Sequence, residues 1–198
     1  MEHLNQTVFL WLNAPEHSNA FVVTLATFFA EWFIWIIPAL IGIGWLRGNE
    51  GIRKTMLVAW ASGLTGLLIN QLIGFVWTHP RPFMIGLGHT LIPHAADSSF
   101  PSDHLTLWWA VALSFLLQPR VQRSGVVLAA LGVPIAWARI YLGVHFPIDM
   151  VGAITVAAFS AWLTLYGAGW YLGSVYRLAT GIHHRVFGRL IARGWVRE

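Results

Sequence analysis

Five stretches of this chain are long and apolar enough, or nearly so, to cross a lipid bilayer, and that excludes most soluble folds at the outset. They cover about 21–45, 56–77, 102–118, 125–142 and 148–172. With no water in the hydrocarbon to bond its N–H and C=O groups, a backbone crossing the membrane in single segments must be helical. The expected fold is therefore all-α: a polytopic membrane helix bundle of about five transmembrane helices, forming a single domain over 1–198. Within it, 1–19 is expected to be an interfacial N-terminal segment, 20–176 the transmembrane core and 177–198 a basic cytoplasmic tail. Hydrophobic residues make up 57% of the chain and charged residues 10%, which suits a bilayer rather than water. Pro38, Gly63, Gly66, Pro134 and Gly152 lie inside the apolar runs, where spans tolerate them.

At the amino terminus no basic region precedes the short apolar run Val8–Leu12, so no cleaved signal peptide is expected. Leu4, Val8, Trp11 and Leu12 can share one face of an interfacial helix over 3–13, the alternative being a frayed terminus. At the other end Arg185, Arg189, Arg193 and Arg197 recur at a spacing of four among apolar residues. That pattern suits a basic helix on anionic headgroups, although Gly188 and Gly194 also allow a solvated tail. Gly169 and Gly173 form a GxxxG pair at the end of the fifth run, which in so glycine-rich a chain reads as coincidence.

Orientation follows from positive charge. Every Lys and Arg except Arg81 and Arg139 falls on the side of the 47–54, 120–123 and 177–197 segments, which marks that side as cytoplasmic. The basic character of the chain thus reads as topology and not as nucleic-acid binding, and no nucleic-acid partner is expected. Arg81 and Arg139 break the charge bias on the outer side, and a negatively charged ligand would give them a reason to be there.

Three polar clusters meet at that outer level: Thr78-His79-Pro80-Arg81-Pro82, Pro101-Ser102-Asp103-His104, and Arg139 through His145 to Asp149. Their residue types suit phosphoryl transfer. Arginine forks pair bidentately with phosphate oxygens at any working pH. Ser102 opens a helix, where unpaired N–H groups and the helix dipole favour an anion. Across Pro147, Asp149 can fix the tautomer of His145 and leave its other nitrogen free to attack phosphorus, with His104 as general acid. Arginines and a helix terminus can supply the electrostatic stabilisation, so neither metal nor cofactor is expected. Cysteine is absent, and His89 and His94 show no metal-ligand spacing.

These residues resemble the three signature motifs of the type 2 phosphatidic acid phosphatase superfamily, which shares its site with vanadium haloperoxidases. Within it, the outer loop Ala95–His104 and the closing Gly194-Trp-Val-Arg-Glu198 look like the bacterial undecaprenyl-diphosphate phosphatases of the bacitracin-resistance type. The resemblance implies a haloperoxidase-like catalytic core in the cytoplasmic membrane. It also implies His145 as nucleophile oriented by Asp149, His104 as acid, and Arg81, Ser102 and Arg139 as phosphate ligands. The implied substrate is a polyprenyl diphosphate presented among membrane lipids, cleaved to the monophosphate that carries peptidoglycan precursors.

The chain departs from the superfamily pattern in three places. Gly74 stands where the first motif has a lysine, Ala138 where the third usually has a serine, and Asp103 where glycine is commoner in the second. His79 is a candidate to fill part of the lysine's role. Asp103 is expected either beside the phosphate or as a helix-start carboxylate pointing away from it. Asp97, with Ser98 and Ser99, is expected to hold the motif loop or contact the diphosphate, and Glu31 to line the substrate entrance or face a partner group. Asn70 and Gln71 are expected to hydrogen-bond between helices. The alternatives are a phosphatase of phosphatidate or phosphatidylglycerophosphate, a lipid phosphotransferase, and a transporter of lipid or peptide antibiotic. The transporter would call for polar residues at the midplane of several spans.

Overall fold

The computed structural model describes residues 2–197, so Glu198 of the closing segment lies outside the described residues. Among those described, all regular structure is helical. In chain order the helices are α1 (Glu2–Leu12), α2 (Ala20–Thr27), α3 (Ile36–Arg47), α4 (Glu50–Val76), α5 (Asp103–Leu116), α6 (Gln122–Tyr141), α7 (Pro147–Tyr166) and α8 (Ala168–Ala192). Four helical stretches are long and apolar enough to cross a membrane: Ala20–Arg47, Glu50–Val76, Gln122–Tyr141 and Pro147–Tyr166.

The third expected span is the shortest, and it forms the middle of the bundle. α5 packs on α4, α6 and α7 together and buries Leu105, Trp108, Trp109, Val111 and Phe115. At about 1.5 Å per residue its 14 residues reach only about 21 Å, less than the hydrocarbon thickness, so this helix, expected as the third span, is too short to cross on its own. Close packing on α4 depends on small residues. A Cβ on Gly66 would lie 2.8 Å from Thr106 Cγ2 and 3.2 Å from Ser160 Oγ, so a side chain there would force α4 away from α5 and α7.

The first span is one helix with an irregular middle. A π turn at Phe28–Trp32 and a 3₁₀ turn at Phe33–Trp35 join α2 to α3. Phe28, Phe29 and Phe33 cluster there, and Phe33 stacks on Trp108 with ring centroids 5.8 Å apart.

α1 is helical as its apolar spacing implies. It buries Asn5 and Phe9 while exposing Leu4, Leu10 and Trp11. Asn5 Oδ1 accepts from the N–H of Ile148 at 3.1 Å and so bonds the first turn of α7, and Phe9 meets Phe146 edge-on at 5.2 Å. Asn13 ties the next loop down, bonding both the N–H and the C=O of His89 and the Tyr141 carbonyl.

At the C-terminal end the expected boundaries move. The fifth span ends at Tyr166, because Gly167 separates α7 from α8, and α8 then runs unbroken through the expected tail. Gly169 and Gly173 therefore lie in α8, with no atom within 4 Å of the place a Cβ would occupy at either; they mark no helix contact. Nor is the tail merely solvated. Arg197 N–H donates to Leu46 O at 3.1 Å, and the Arg53 guanidinium donates to Arg197 O at 2.6 Å, pinning the chain end to the α3–α4 corner. Arg53, counted in the sequence as a topology charge, is buried.

Candidate active site

His145 reaches its position through a turn that no ordinary residue could make. α6 ends at Tyr141, Gly143 adopts φ +80°, and Phe146 then leads into Pro147 at the start of α7. His145 and Asp149 thus sit one helical turn apart, both buried, with His145 Nδ1 3.1 Å from Asp149 Oδ2. The same carboxylate oxygen accepts from the N–H of Phe146 at 2.8 Å and from the Ser99 hydroxyl in a short hydrogen bond.

The two anomalous arginines converge on the opposite nitrogen of this ring. Arg81 NH1 lies 3.2 Å and Arg139 NH2 3.3 Å from His145 Nε2. A guanidinium can only donate, so Nε2 must be the lone-pair nitrogen and Nδ1 must carry the proton given to Asp149. The tautomer is fixed from both sides, and the lone pair faces two cations. Burial, then Arg139 and Arg81, hold the His145 imidazole well below its ordinary pKa, so the ring stays neutral.

Both arginines are anchored by their surroundings. Arg81 also donates to Val144 O at 2.8 Å and Ser98 O at 3.3 Å, and its Nε and NH2 both meet Asp97 Oδ1 at 2.9 Å. Arg139 donates to Ala30 O at 3.5 Å, a carbonyl of the π turn, and its NH2 approaches His94 Nε2 at 2.8 Å. Among the described residues five buried polar side-chain atoms have no partner: Asn5 Nδ2 and His79 Nδ1, and, in the motif segments, Ser102 Oγ, Arg139 Nε and Asp149 Oδ1. Ser102 is the N-cap of α5, yet its hydroxyl makes no capping bond. Buried polar groups are nearly always bonded, and unused ones beside a cationic cluster fit a place where a ligand belongs.

The other sequence candidates divide. His104 lies in the first turn of α5, where the charges of Arg139 and Arg81 act on it. Asp97, expected to hold the motif loop or contact the diphosphate, pairs with Arg81. Asp103 is bracketed by α4, receiving Asn70 Nδ2 at 2.8 Å and Gln71 Nε2 at 3.3 Å, so these two amides do bond between helices. A polar cavity of about 410 Å³ lies there, lined by Gly74, Asp103, Asp97 and Arg81, so the missing lysine leaves open space beside the site. His79 does not reach the arginines. Its ring packs edge-on against Phe146 and Trp77, and its Nε2 is 3.8 Å from Glu2 of α1. Glu31 sits in the π turn, exposed, with its charge acting on Arg139.

Sequence reasoning missed His94, which touches an arginine of the site, and the bond from Ser99 to the Asp149 carboxylate. Both belong to an irregular loop without periodicity, and the only signal was their nearness to Pro101-Ser102-Asp103-His104. Among the described residues, no three His, Asp or Glu side chains gather as ligands for a metal ion.

Fold and site together define a polytopic membrane protein that holds a buried, neutral histidine against two arginines at one end of its bundle. The chain belongs to the PAP2 superfamily, whose pattern matches residues 54–173. It is 35% identical to YbjG of Escherichia coli (strain K12) over the whole of both chains. It is 38% identical to the undecaprenyl-diphosphatase BcrC of Bacillus subtilis (strain 168), over 78% of this chain and 79% of that one. The crystal structure of Aquifex aeolicus LpxE shares the fold, with a TM-score of 0.68 at 20% identity over 82% of this chain and 95% of that one.

Proposed function

We propose that the chain is an undecaprenyl-diphosphate phosphatase, cleaving the terminal phosphate from a polyprenyl diphosphate lipid and leaving the monophosphate. The observation that carries this reading is the fixed tautomer of His145, whose Nε2 lone pair points between Arg81 and Arg139. The terminal phosphate takes the arginine donors, with Ser102 Oγ and the start of α5 as further ligands. His145 Nε2 attacks phosphorus in line, and the bond to the bridging oxygen breaks. That oxygen leaves on the lipid monophosphate as His104 protonates it, and Asp149 stabilises the charge on the phosphorylated ring. Water then attacks phosphorus with His104 as base, releasing inorganic phosphate and restoring His145.

The Lys and Arg distribution supports a protein of the cytoplasmic membrane with the site on the outer face and the C-terminus in the cytoplasm. There it would recycle the lipid carrier of cell-wall synthesis and, by removing the diphosphate form, confer bacitracin resistance. The exposed Leu4, Leu10 and Trp11 suit an interfacial position for α1.

The test is phosphate release by purified protein, with polyprenyl diphosphate and phosphatidate offered side by side in excess chelator. Wild type should prefer the diphosphate, and His145→Ala should lose at least about 10⁴-fold in kcat while keeping its melting temperature. Ordinary turnover by that variant would sink the mechanism. A preference for phosphatidate would assign the other lipid class.

A further inference from the structure

A diphosphate brings two charged phosphates, and two arginines focused on one histidine can seat only one of them. Among the side chains bonded to Arg81 and Arg139, His145 is sealed from solvent, whereas Asp97 and His94 border it. The part of the substrate that is not attacked has these two beside it as it leaves the arginine pair. Asp97, a carboxylate, would repel it. Of the two, His94 is the group that could attract it.

His94 is set up for that change of partner. Its Nδ1 lies 3.2 Å from Ala95 O and must donate there, so Nε2 is the acceptor that meets Arg139 NH2 at 2.8 Å. The same guanidinium nitrogen lies 3.3 Å from His145 Nε2, and the two imidazole rings stand nearly perpendicular with centroids 6.1 Å apart. His94 thus occupies a donor that the attacked phosphate will need. Once phosphate takes that donor, Nε2 is released beside new negative charge. Burial, then Arg81 and Arg139, push the His94 imidazole below its ordinary value, opposed by the Ala95 carbonyl and Asp97. A diphosphate beside it reverses the sign of the local field and favours the cationic ring, which donates from both nitrogens.

We propose that His94 is a substrate-binding residue, a placeholder on Arg139 in the empty site and the ligand of the second, non-transferred phosphate in the occupied one, so that it selects diphosphates over monophosphates. The assignment rests on the proposed function for its substrate class, but binding without turnover tests it separately. Purified protein in detergent, with chelator, is titrated with methylenediphosphonate, which cannot be hydrolysed at its bridge, and with inorganic phosphate. Wild type should bind the diphosphonate at least about tenfold more tightly, the scale of one charge-assisted hydrogen bond. His94→Ala should bring that ratio within about threefold while phosphate affinity changes by less than about twofold. His94→Gln, which can donate but carries no charge, should fall between. An equal loss of both ligands in His94→Ala would mean that the ring merely positions Arg139, and would overturn the proposal. So would a wild type without preference, or a ratio in His94→Gln equal to that of wild type, the latter deciding the matter even if the alanine variant does not fold. Failure of the functional reading has a different signature: no phosphate release from polyprenyl diphosphate, with the binding ratio intact.

Discussion

Among the described residues two buried arginine–histidine clusters stand out, one at each end of the bundle, and they differ in what they leave unbonded. At the far end Arg53 donates to two main-chain carbonyls, Trp45 O and Arg197 O, and lies against the Trp45 ring. His183 Nδ1 accepts from the Trp45 indole at 3.1 Å, and its Nε2 has two neighbours, Arg197 O at 2.9 Å and Arg53 NH2 at 3.2 Å. Each ring nitrogen there has a backbone or indole partner. At the site end His145 Nε2 has no carbonyl or indole partner and meets two guanidinium groups instead. The lone pair of His145 faces cations, while Ser102 Oγ and Arg139 Nε have no partner at all. The same residue types therefore close a structure where their valences are filled and leave polar atoms free for a ligand where some are left over.

The comparison can be broken most forcefully at Asp149. Asp149→Asn removes the carboxylate that fixes the His145 proton on Nδ1, and kcat should fall by on the order of 10³ to 10⁴, as in other histidine centres that lose their orienting carboxylate. A fall below about tenfold would show that the arginines set the tautomer without it. Arg139→Lys keeps the charge but loses the planar fork that serves His145, His94 and Ala30 together. Roughly 10² in kcat/KM should go, with little change in melting temperature.

At the far end the expected effect moves from rate to stability. Arg53→Ala strands the carbonyls of Trp45 and Arg197 and should cost about 2 kcal/mol in denaturant or thermal unfolding, with KM unchanged. A change in kcat with no loss of stability would contradict the division between the two ends. The smallest effect is in the pH profile. Protonating Nε2 removes the attacking lone pair, so activity is full above the pKa of His145 and is lost as pH falls through it. Because burial and both arginines lower that pKa, the acid limb of kcat/KM should lie below the ordinary histidine value of about 6.5. A limb centred at the ordinary value would mean that the ring is not held neutral.

The cluster around His145 was legible in the sequence because its spacing is local: His145 and Asp149 lie four residues apart across a proline that starts a helix, and Arg81 and Arg139 stood against the charge bias. The helix bundle was legible from apolar run length alone. Other features had no such signal. His94 and Ser99 act across a loop whose path depends on tertiary contacts, such as Asn13 on His89, that no periodicity encodes. The end of the fifth span was misplaced because hydropathy runs on past Gly167. Arg53 was read as a topology charge because side counting says nothing about whether a guanidinium is buried. His79 sits beside the motif arginine in sequence, yet the turn after α4 aims its ring at α1.

The π turn at Phe28–Trp32 makes the first span sensitive to residue number as well as to hydrophobicity. Deleting a single residue there would let the segment close as an ordinary α-helix, still long enough to cross the bilayer. A π turn holds one residue more than an α turn, so the flanking helices would keep nearly the same phase while the groups inside the turn change direction. Ala30 O would leave Arg139, and Glu31 would swing to another face. The span that carries no motif thus meets the site through this turn, and it could tolerate many apolar substitutions more easily than one deletion.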